Sequence, residues 1–407
     1  MKLVRCGSLW ETLRWTLHAW WHGYHVPTDR VTWTSTRDTT IPYEEEVKIT
    51  AKRWSLLVPF FASRGYHLYE SIIGSRTMPP SSVKPQRGMD DCYPYARRRE
   101  RHERGLEFIE IQSCRVWAAR DNAGREVVIK SLSLLVSLGE QEWDELKIYK
   151  RLNTPEARAD PRNRTLPVLD YIIYNGLVFV VTPRWGEPVV GLSFSKVEQV
   201  LVMADQLLEV SPTALLLRNL ANLPMIKGMA FLHHQRIAHR DVDTRNVVMN
   251  ALYEIAEGHD CDEIRDSSVV RYAYIDFEAS VILPPDTDIG KVVMKREERL
   301  TTIRAGLESG ESNPFADDIY VLIVVLQRWV RVVENTVPAI GKFFDEIISN
   351  YSSDLSSIEI LSKFRRIRAG LTPEQLKSPT PGRFWHKGKV QRHLSDWGFA
   401  GSAPAST

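Results

Sequence analysis

Cysteine is scarce in this chain, and the absence of closely spaced cysteine pairs argues against two kinds of site. The four cysteines in 407 residues are scattered, and none lies in a Cys-x-x-Cys pair. This spacing argues against a structural zinc site or a disulfide framework and favours a reducing compartment. The formal net charge is only +2, too small for the strong field that attracts nucleic acids or anionic membranes.

Long hydrophobic runs are also absent. The N-terminus has no uninterrupted apolar segment of the kind that marks a secretory signal. The best apolar run, residues 319 to 326, is far too short to span a bilayer. We therefore expect an intracellular protein, cytoplasmic or nuclear, with neither nucleic acid nor membrane among its partners.

Composition divides the chain into four parts. Residues 1 to 42, rich in Trp, His and Thr, are unassigned, and we interpret them as a half-buried aromatic helix rather than a histidine metal site. Residues 43 to 105 are predicted to form a helix-turn-strand extension and a linker containing Pro and Arg. Residues 106 to 376 form the main domain, and the composition of residues 377 to 407 predicts a disordered tail.

Strand patterns surround one helical segment in the first part of the main domain. Residues 108 to 119 alternate well enough for a pair of strands, and Asp-Asn-Ala-Gly at 121 to 124 is a hairpin signal. Residues 126 to 130 and 177 to 181 are further predicted strands, and residues 140 to 152 have helical periodicity.

Two insertions interrupt the second part of this domain. The helical pattern of residues 198 to 209 continues at 228 to 233 as one long helix, and residues 210 to 227, with two prolines, separate the halves. We interpret them as an added loop or a retained short intron. Residues 254 to 268 are a second insertion, acidic and loop-like.

The most informative motif is His-Arg-Asp at residues 239 to 241, followed by Asn246 five places after Asp241. Ile-Asp-Phe-Glu follows at residues 275 to 278. An aspartate, an asparagine and a second aspartate at these spacings are what phosphoryl transfer from ATP requires. Asp241 would orient an attacking hydroxyl and accept its proton, whereas Asn246 and Asp276 would hold magnesium.

On these motifs the chain resembles the protein kinase superfamily, as a divergent, fungal-type kinase-like domain. The resemblance implies an α+β, two-lobed fold. A small β-rich N-lobe with one main helix would span residues 106 to 181, and a larger helical C-lobe residues 187 to 376. It also implies ATP and Mg²⁺ as cofactors and a protein hydroxyl as acceptor, Ser or Thr rather than Tyr. The oligomeric state stays open.

The resemblance assigns nucleotide-binding roles in the N-lobe. Lys130 ends a Val-Val-Ile-Lys strand and would pair with the α and β phosphates. Glu145, fifteen positions later on the predicted helix, would hold it in place. Residues 181 to 186 would cradle the adenine with backbone groups. The side chains expected to line the nucleotide site are Val116, Val128 and Val181.

Supporting roles follow in the C-lobe. His239 resembles the family's structural histidine, which packs and hydrogen-bonds near Asp276 and is not a base. Arg240 would be buried near the activation segment. Asp318, in Asn-Pro-Phe-Ala-Asp-Asp at residues 313 to 318, would brace the backbone of the catalytic loop at the start of a long central helix.

The chain departs from the family pattern in its glycines. Counting back along the predicted strand, the three positions of the glycine-rich loop fall at Ile109, Ile111 and Cys114. Glycine there lets backbone amides approach the phosphates closely, so ATP would bind differently. Glu278 replaces the glycine of Asp-Phe-Gly.

A further departure lies inside the catalytic loop. Asp243 stands where serine/threonine kinases resemble one another in having a lysine. An aspartate there would repel the γ-phosphate. Arg245 occupies the place of an arginine in tyrosine kinases, and we include it among the catalytic residues because it would supply the missing positive charge.

Three functions are consistent with these residues. All five polar catalytic positions survive, which favours an active protein kinase. The missing glycines, Glu278 and Asp243 favour a pseudokinase that binds or scaffolds. A small-molecule kinase of the choline or aminoglycoside type shares the Asp-x4-Asn loop and Ile-Asp-Phe-Glu. Against it stand Arg240, the long segment after Asp276 and the helix start at residues 313 to 318.

Overall fold

The computed structural model describes most of residues 43 to 391 and a few positions before them. The predicted insertion at 210 to 227 lies outside the described residues, and so does most of 254 to 268. The described ranges are 43–70, 77–78, 83–84, 93–99, 109–110, 114–133, 144–174, 177–186, 194–208, 228–253, 264–266, 268–296, 299–350 and 357–391, together with residues 13, 17, 20, 21 and 23.

These residues form a mixed α/β structure that divides into two compact units. The sheet unit comprises Met1–Pro155, Leu166–Gly186 and Asn250–Ile255, and the helix unit comprises Glu156–Thr165, Glu187–Met249 and Ala256–Thr407. Within the described part of the chain, no helix is long and apolar enough to cross a membrane.

The sheet unit is built on a five-stranded antiparallel sheet in the order β1-β5-β6-β8-β7. Its other described elements are short strands and the helices α1 to α3. Their bounds are α1 Tyr43–Ala62, β1 Tyr66–Leu68, β2 Thr77–Met78, β3 Arg97–Arg99, β4 Ile109–Glu110, β5 Val116–Asp121, β6 Glu126–Ser133, α2 Asp144–Leu152, α3 Pro155–Ala159 (which crosses into the helix unit), β7 Asp170–Tyr174 and β8 Leu177–Pro183.

The strand pair predicted within residues 108 to 119 is wrong in its pairing. Strand β5 pairs with β1 on one side and β6 on the other, whereas Ile109–Glu110 pairs with Thr77–Met78. Alternation along a strand specifies which residues share a face, but it does not specify the partner strand. The hairpin at residues 121 to 124 is confirmed, because the Asp121 carboxylate accepts hydrogen bonds from the backbone N–H groups of Ala123 and Arg125 at 3.0 and 2.9 Å.

Aromatic side chains from α1 form the core of the sheet unit. Trp54 stacks on Trp117 of β5 with ring centroids 5.6 Å apart, and Phe61 meets Phe179 of β8 edge to face at 5.0 Å. The Trp54 indole N–H also donates to the Cys114 carbonyl at 2.9 Å. Such pairs contribute roughly 1 kcal/mol each beyond the area they bury. The helix-turn-strand extension predicted to begin at residue 43 is therefore present. Helix α1 supplies aromatic side chains to the core, and β1 is a strand of the sheet.

The helix unit surrounds one buried helix, α7 (Pro314–Val330). Asn313 caps it by accepting a hydrogen bond from the Phe315 N–H at 2.9 Å, and Pro314 occupies its first turn, as expected for this central helix. The unit's described elements are α4 Val197–Leu208, α5 Met229–His234, β9 Ile237–Ala238, β10 Val247–Met249, β12 Tyr272–Tyr274, β13 Val281–Ile282, β14 Met294–Lys295, α6 Leu300–Arg304, β15 Glu311–Ser312, α7 Pro314–Val330, α8 Pro338–Ser349, α9 Ser357–Ala369, α10 Pro373–Lys377, β16 Phe384–His386 and β17 Lys389–Gln391, with β11 Ala251–Tyr253 lying in the sheet unit.

Both ends of the chain differ from expectation where they are described. Strands β16 and β17 form a hairpin inside the segment predicted as a disordered tail, because Phe384 is buried against Trp329 at 6.3 Å. Near the N-terminus, helical Trp20 and Trp21 are 76% and 79% exposed rather than half-buried, since periodicity identifies a face but not what covers it. His18 and His22, the two histidines of the metal site that was weighed against this helix, lie outside the described residues.

The chain leaves α4 and enters α5 at nearly the same point. The backbone of α4 leaves no room for a side chain at Gly228, because a Cβ added there would lie 2.8 Å from the Leu207 carbonyl oxygen. Gly228 has φ +61°, which breaks the single continuous helix expected across 198 to 233. The end of α4 and Gly228, between which residues 209 to 227 lie in sequence, are therefore side by side.

Candidate active site

A buried ion pair joins the first two predicted site residues. The Lys130 ammonium on β6 lies 2.6 Å from a Glu145 carboxylate oxygen on α2, with side-chain exposures of 12% and 5%. Strand β6 presents Lys130 and helix α2 presents Glu145 in its first turn. The structure thus brings together the two residues that the resemblance paired.

Arg115 is a third member of this group that sequence reasoning missed. Its guanidinium donates to the other Glu145 carboxylate oxygen at 3.3 Å, and the side chain is 9% exposed. One carboxylate therefore holds two cations, Lys130 and Arg115. No motif marks Arg115, which lies directly before β5, so only the fold reveals it.

The predicted nucleotide-lining valines lie on different faces of the sheet. Val116 and Val128 are half-buried. Val116 is paired directly with Lys130, and Val128, two positions before Lys130, shares its face. Val181 is paired with Ile129, and both are fully buried in the core on the opposite face. On this strand the residues that share the Lys130 face are Val180 and Thr182, so Val181 is corrected to a core residue.

The segment predicted as the adenine hinge is bonded to neighbouring backbone and side chains. The Arg184 N–H donates to the Glu126 carbonyl and the Gly186 N–H to the Ala251 carbonyl, both at 3.1 Å. The Trp185 indole N–H donates to the Pro94 carbonyl at 2.9 Å. Residues 93 to 99 of the predicted linker are therefore docked on this segment within the sheet unit.

A buried charge cluster lies beside this segment. The Glu126 carboxylate accepts hydrogen bonds from Arg120 at 2.7 Å, Arg98 at 2.9 Å, Tyr69 at 2.8 Å and Arg184 at 3.4 Å. Burial raises the pKa of Tyr69, and the charge of Glu126 raises it further. Burial alone would lower the pKa of Arg120, but Glu126 holds it above its ordinary value. The cluster joins the ends of β5, β6 and β8 beside the segment predicted as the hinge.

In the helix unit, Asp318 braces the backbone of the loop from His239 to Asn246, a contact that the resemblance implied. One of its carboxylate oxygens accepts the His239 N–H at 2.6 Å and the other accepts the Arg240 N–H at 2.7 Å. Arg240 has φ +62°, a backbone conformation that these two bonds hold in place. His233 adds a contact to the same carboxylate at 3.2 Å.

His239 has the structural role that was expected. Its imidazole is fully buried and hydrogen-bonds the Ile275 carbonyl at 3.0 Å, directly before Asp276. Its ring packs on Phe277 at 5.4 Å. Arg240 is half-buried rather than buried, and its guanidinium donates to the Lys295 carbonyl at 3.3 Å, in the segment after Asp276.

Asp241 lies at the centre of a small hydrogen-bonded group. The Asn246 side-chain N–H₂ donates to the Asp241 carbonyl at 2.8 Å and to its carboxylate at 3.2 Å. The other carboxylate oxygen accepts the Thr301 hydroxyl at 2.9 Å. Sequence reasoning did not anticipate Thr301 as a partner of Asp241. Asp241 therefore already accepts a hydrogen bond from a hydroxyl, which is the contact that a phosphate acceptor needs.

The ladder between β10 and β12 brings the two predicted magnesium ligands to one end. Val247 pairs with Tyr274, and the Ile275 N–H donates to the Asn246 carbonyl at 3.0 Å. Asp276 follows with φ +63°. Because Asn246 binds Asp241 through its nitrogen, its side-chain oxygen is the atom suited to a cation. Glu278 is exposed.

The oxygen atoms of Asn246 and Asp276 fit magnesium, which prefers hard oxygen ligands and usually takes one or two protein carboxylates alongside substrate phosphates. Among the described residues, no group of three or more His, Cys, Asp or Glu side chains is arranged to hold a metal ion. The phosphates of a nucleotide would therefore have to complete the coordination.

The negative charge of Asp243 is paired with arginine side chains. It accepts hydrogen bonds from the Arg245 guanidinium at 2.9 Å and the Arg245 N–H at 3.0 Å, and Arg304 lies 3.6 Å away. Burial alone would raise the pKa of Asp243, but these arginines hold it below its ordinary value. Arg245 was predicted as a catalytic residue, and the structure places its guanidinium on Asp243.

No family model and no curated protein matches the sequence. Among solved structures, the chain is similar to the BubR1 kinase domain, at 12% sequence identity and a TM-score of 0.38. That similarity covers 64% of this chain and 77% of the other.

Proposed function

We propose that this chain is an ATP-dependent protein kinase that transfers the γ-phosphoryl group to a serine or threonine hydroxyl of a protein. The observation that carries the proposal is the group around Asp241. Its carboxylate accepts the Thr301 hydroxyl at 2.9 Å and is oriented by Asn246. Two carboxylate oxygens offer about four acceptor positions, so an incoming hydroxyl has a place beside Thr301.

In this proposal each residue has a defined task. Asp241 aligns the acceptor hydroxyl and takes its proton as the oxygen bonds to the γ-phosphorus and the bond to ADP breaks. Lys130, held by Glu145, orients the phosphates. Asn246 and Asp276 hold magnesium, which supplies neutralisation of phosphate charge. Positioning and electrostatics provide most of the rate.

The proposal includes a two-lobed kinase fold. The sheet unit, with Lys130 and Glu145, would be the N-lobe, and the helix unit, with Asp241, Asn246 and Asp276, would be the C-lobe. Support comes from each unit separately: the 2.6 Å pair in the first, and the loop braced by Asp318 in the second.

Transfer from labelled ATP with magnesium to a mixed Ser/Thr peptide library tests the proposal. We expect wild-type transfer to fall by at least about 10²-fold in Asp241→Asn, because the proton acceptor is lost, and to vanish in Asp276→Asn. Lys342→Ala, an exposed change on α8, is the matched control and should keep full activity. Undiminished transfer by Asp241→Asn would refute the assignment.

A pseudokinase is the second candidate, and one observation favours it. Side chains stand at the three positions where the resemblance expects glycine, Ile109, Ile111 and Cys114. Glycine there would let backbone amides approach the phosphates closely. Nucleotide binding by calorimetry, combined with absence of transfer from folded wild-type protein, would select this candidate.

A further inference from the structure

One face of α6 lines the catalytic loop. Thr301 and Arg304 are three positions apart and therefore lie on the same side of this short helix. The Thr301 hydroxyl binds Asp241 at 2.9 Å, and the Arg304 guanidinium lies 3.6 Å from Asp243. Arg304 is thus held one helical turn from the hydroxyl that marks the acceptor position.

A second arginine joins Arg304 beside this loop. Arg245 binds Asp243 at 2.9 Å, and Arg304 lies 3.6 Å from the same carboxylate. Two guanidinium groups therefore flank the single negative charge of Asp243, which leaves an excess of positive charge at this position.

The charge excess is accessible from solvent. The Arg245 side chain is 61% exposed and that of Arg304 is 39% exposed, whereas the Asp243 side chain is only 9% exposed. An incoming chain would meet the arginine donors and not the carboxylate beneath them. Each guanidinium carries five N–H donors in a planar fork that matches a carboxylate, so Asp243 does not use all of them.

We propose that this arginine surface, formed by Arg245 and Arg304, selects acceptor segments that carry aspartate or glutamate beside the Ser or Thr. The inference rests on the proposed function, because it assigns the substrate class of the same site. Charged side chains placed this way steer association and set specificity. Arg304 is the positioning residue that we expect to contribute most, because α6 fixes it next to Thr301.

Peptide binding and phosphate transfer, measured in parallel on the full chain, test this inference. Two peptides share one central serine and differ only in flanking residues, glutamate in one and alanine in the other. Fluorescence anisotropy with labelled peptides gives Kd, and labelled ATP gives kcat/KM. We expect the acidic peptide to bind about tenfold more tightly at low salt, as expected for several partly exposed ion pairs, and the preference to shrink in high salt.

Arg304→Ala should reduce the preference about fivefold, as expected for one lost ion pair, and Arg304→Glu should reverse it. Lys342→Glu also replaces a positive side chain by a negative one, at an exposed position on α8. It is the matched control and should leave the preference intact. Circular dichroism confirms that each variant is folded; if Arg304→Glu does not fold, Arg304→Ala alone decides.

The outcomes separate this inference from the proposed function. Equal binding of both peptides by wild type, or an unchanged preference in Arg304→Ala, overturns the acidic-substrate inference even if transfer is observed. Preferential binding of the acidic peptide that is lost in Arg304→Ala, without any phosphate transfer, supports the arginine surface and instead overturns the kinase proposal.

Discussion

A single side chain holds the backbone of the loop from His239 to Asn246 in its unusual conformation. The Asp318 carboxylate accepts the buried His239 N–H at 2.6 Å and the part-buried Arg240 N–H at 2.7 Å. Without this carboxylate both N–H groups would lose their acceptor, and a buried N–H left without a partner costs about 1 to 3 kcal/mol. The position of Asp241, one residue further on, depends on these two bonds.

Replacement of Asp318 by alanine should therefore destabilise the protein and disable the loop together. We expect the free energy of unfolding to fall by about 3 kcal/mol and transfer activity to be lost. Urea unfolding followed by tryptophan fluorescence measures the first. Asp345→Ala is a control, because the Asp345 side chain is 64% exposed and its partner Arg331 keeps a second ion pair, with Glu334 at 2.8 Å. We expect this substitution to cost about 1 kcal/mol or less. Equal effects of the two substitutions would contradict the bracing role.

At the scale of elements, the junction between α4 and α5 explains how an insertion fits into a packed helix unit. The last residues of α4 and Gly228 are in contact, since a Cβ on Gly228 would lie 2.8 Å from the Leu207 carbonyl oxygen. Because the end of α4 already meets the start of α5, the packing of the two helices does not depend on the length of chain between them. The closure of such a loop depends only weakly on its length.

A deletion of residues 209 to 227 should consequently preserve the helix unit. We expect the free energy of unfolding to change by no more than about 1 kcal/mol, because loop closure entropy varies slowly with length. A second variant that keeps residues 209 and 227 relieves any strain from the φ of +61° at Gly228. Thermal unfolding of both deletions compares them with the full chain. Aggregation of both would show that the removed residues contribute to the fold.

At the scale of the whole molecule, the segment predicted as an extension is part of the core. Trp54, Phe60 and Phe61 of α1 are completely buried against the five-stranded sheet, and β1 is one edge of that sheet. The predicted domain start at residue 106 would remove all of them. Burial of one such aromatic side chain contributes about 3 to 5 kcal/mol.

We therefore expect a chain that starts at residue 106 to lose cooperative unfolding, whereas one that starts at residue 43 keeps it. Near-ultraviolet circular dichroism and a thermal melt distinguish the two, with the full chain as reference. The longer truncation product is the control, because it retains α1 and β1. Native-like melting of the chain that starts at 106 would show that α1 is dispensable.

The sequence by itself determined the local features. Residue type and spacing identified the turn at 121 to 124 and the motif from His239 to Asn246. These features depend on residues that are near each other in the chain, where hydrogen-bonding groups and backbone preferences act directly. The start of α7 at residues 313 to 318 and the pairing of Lys130 with Glu145 were expectations from the resemblance that short motifs carry.

Only the tertiary structure decided which distant segments meet. Examples are the pairing of β5 with β1 rather than with a second strand inside residues 108 to 119, and the burial of Val181 in the core. The contacts of Arg115, Thr301 and Arg304 also join residues far apart in sequence. Periodicity assigns a residue to a face, and the choice of partner follows from how the whole set of apolar side chains packs. The physical reason is that packing is a property of the assembled core, which no short segment encodes alone.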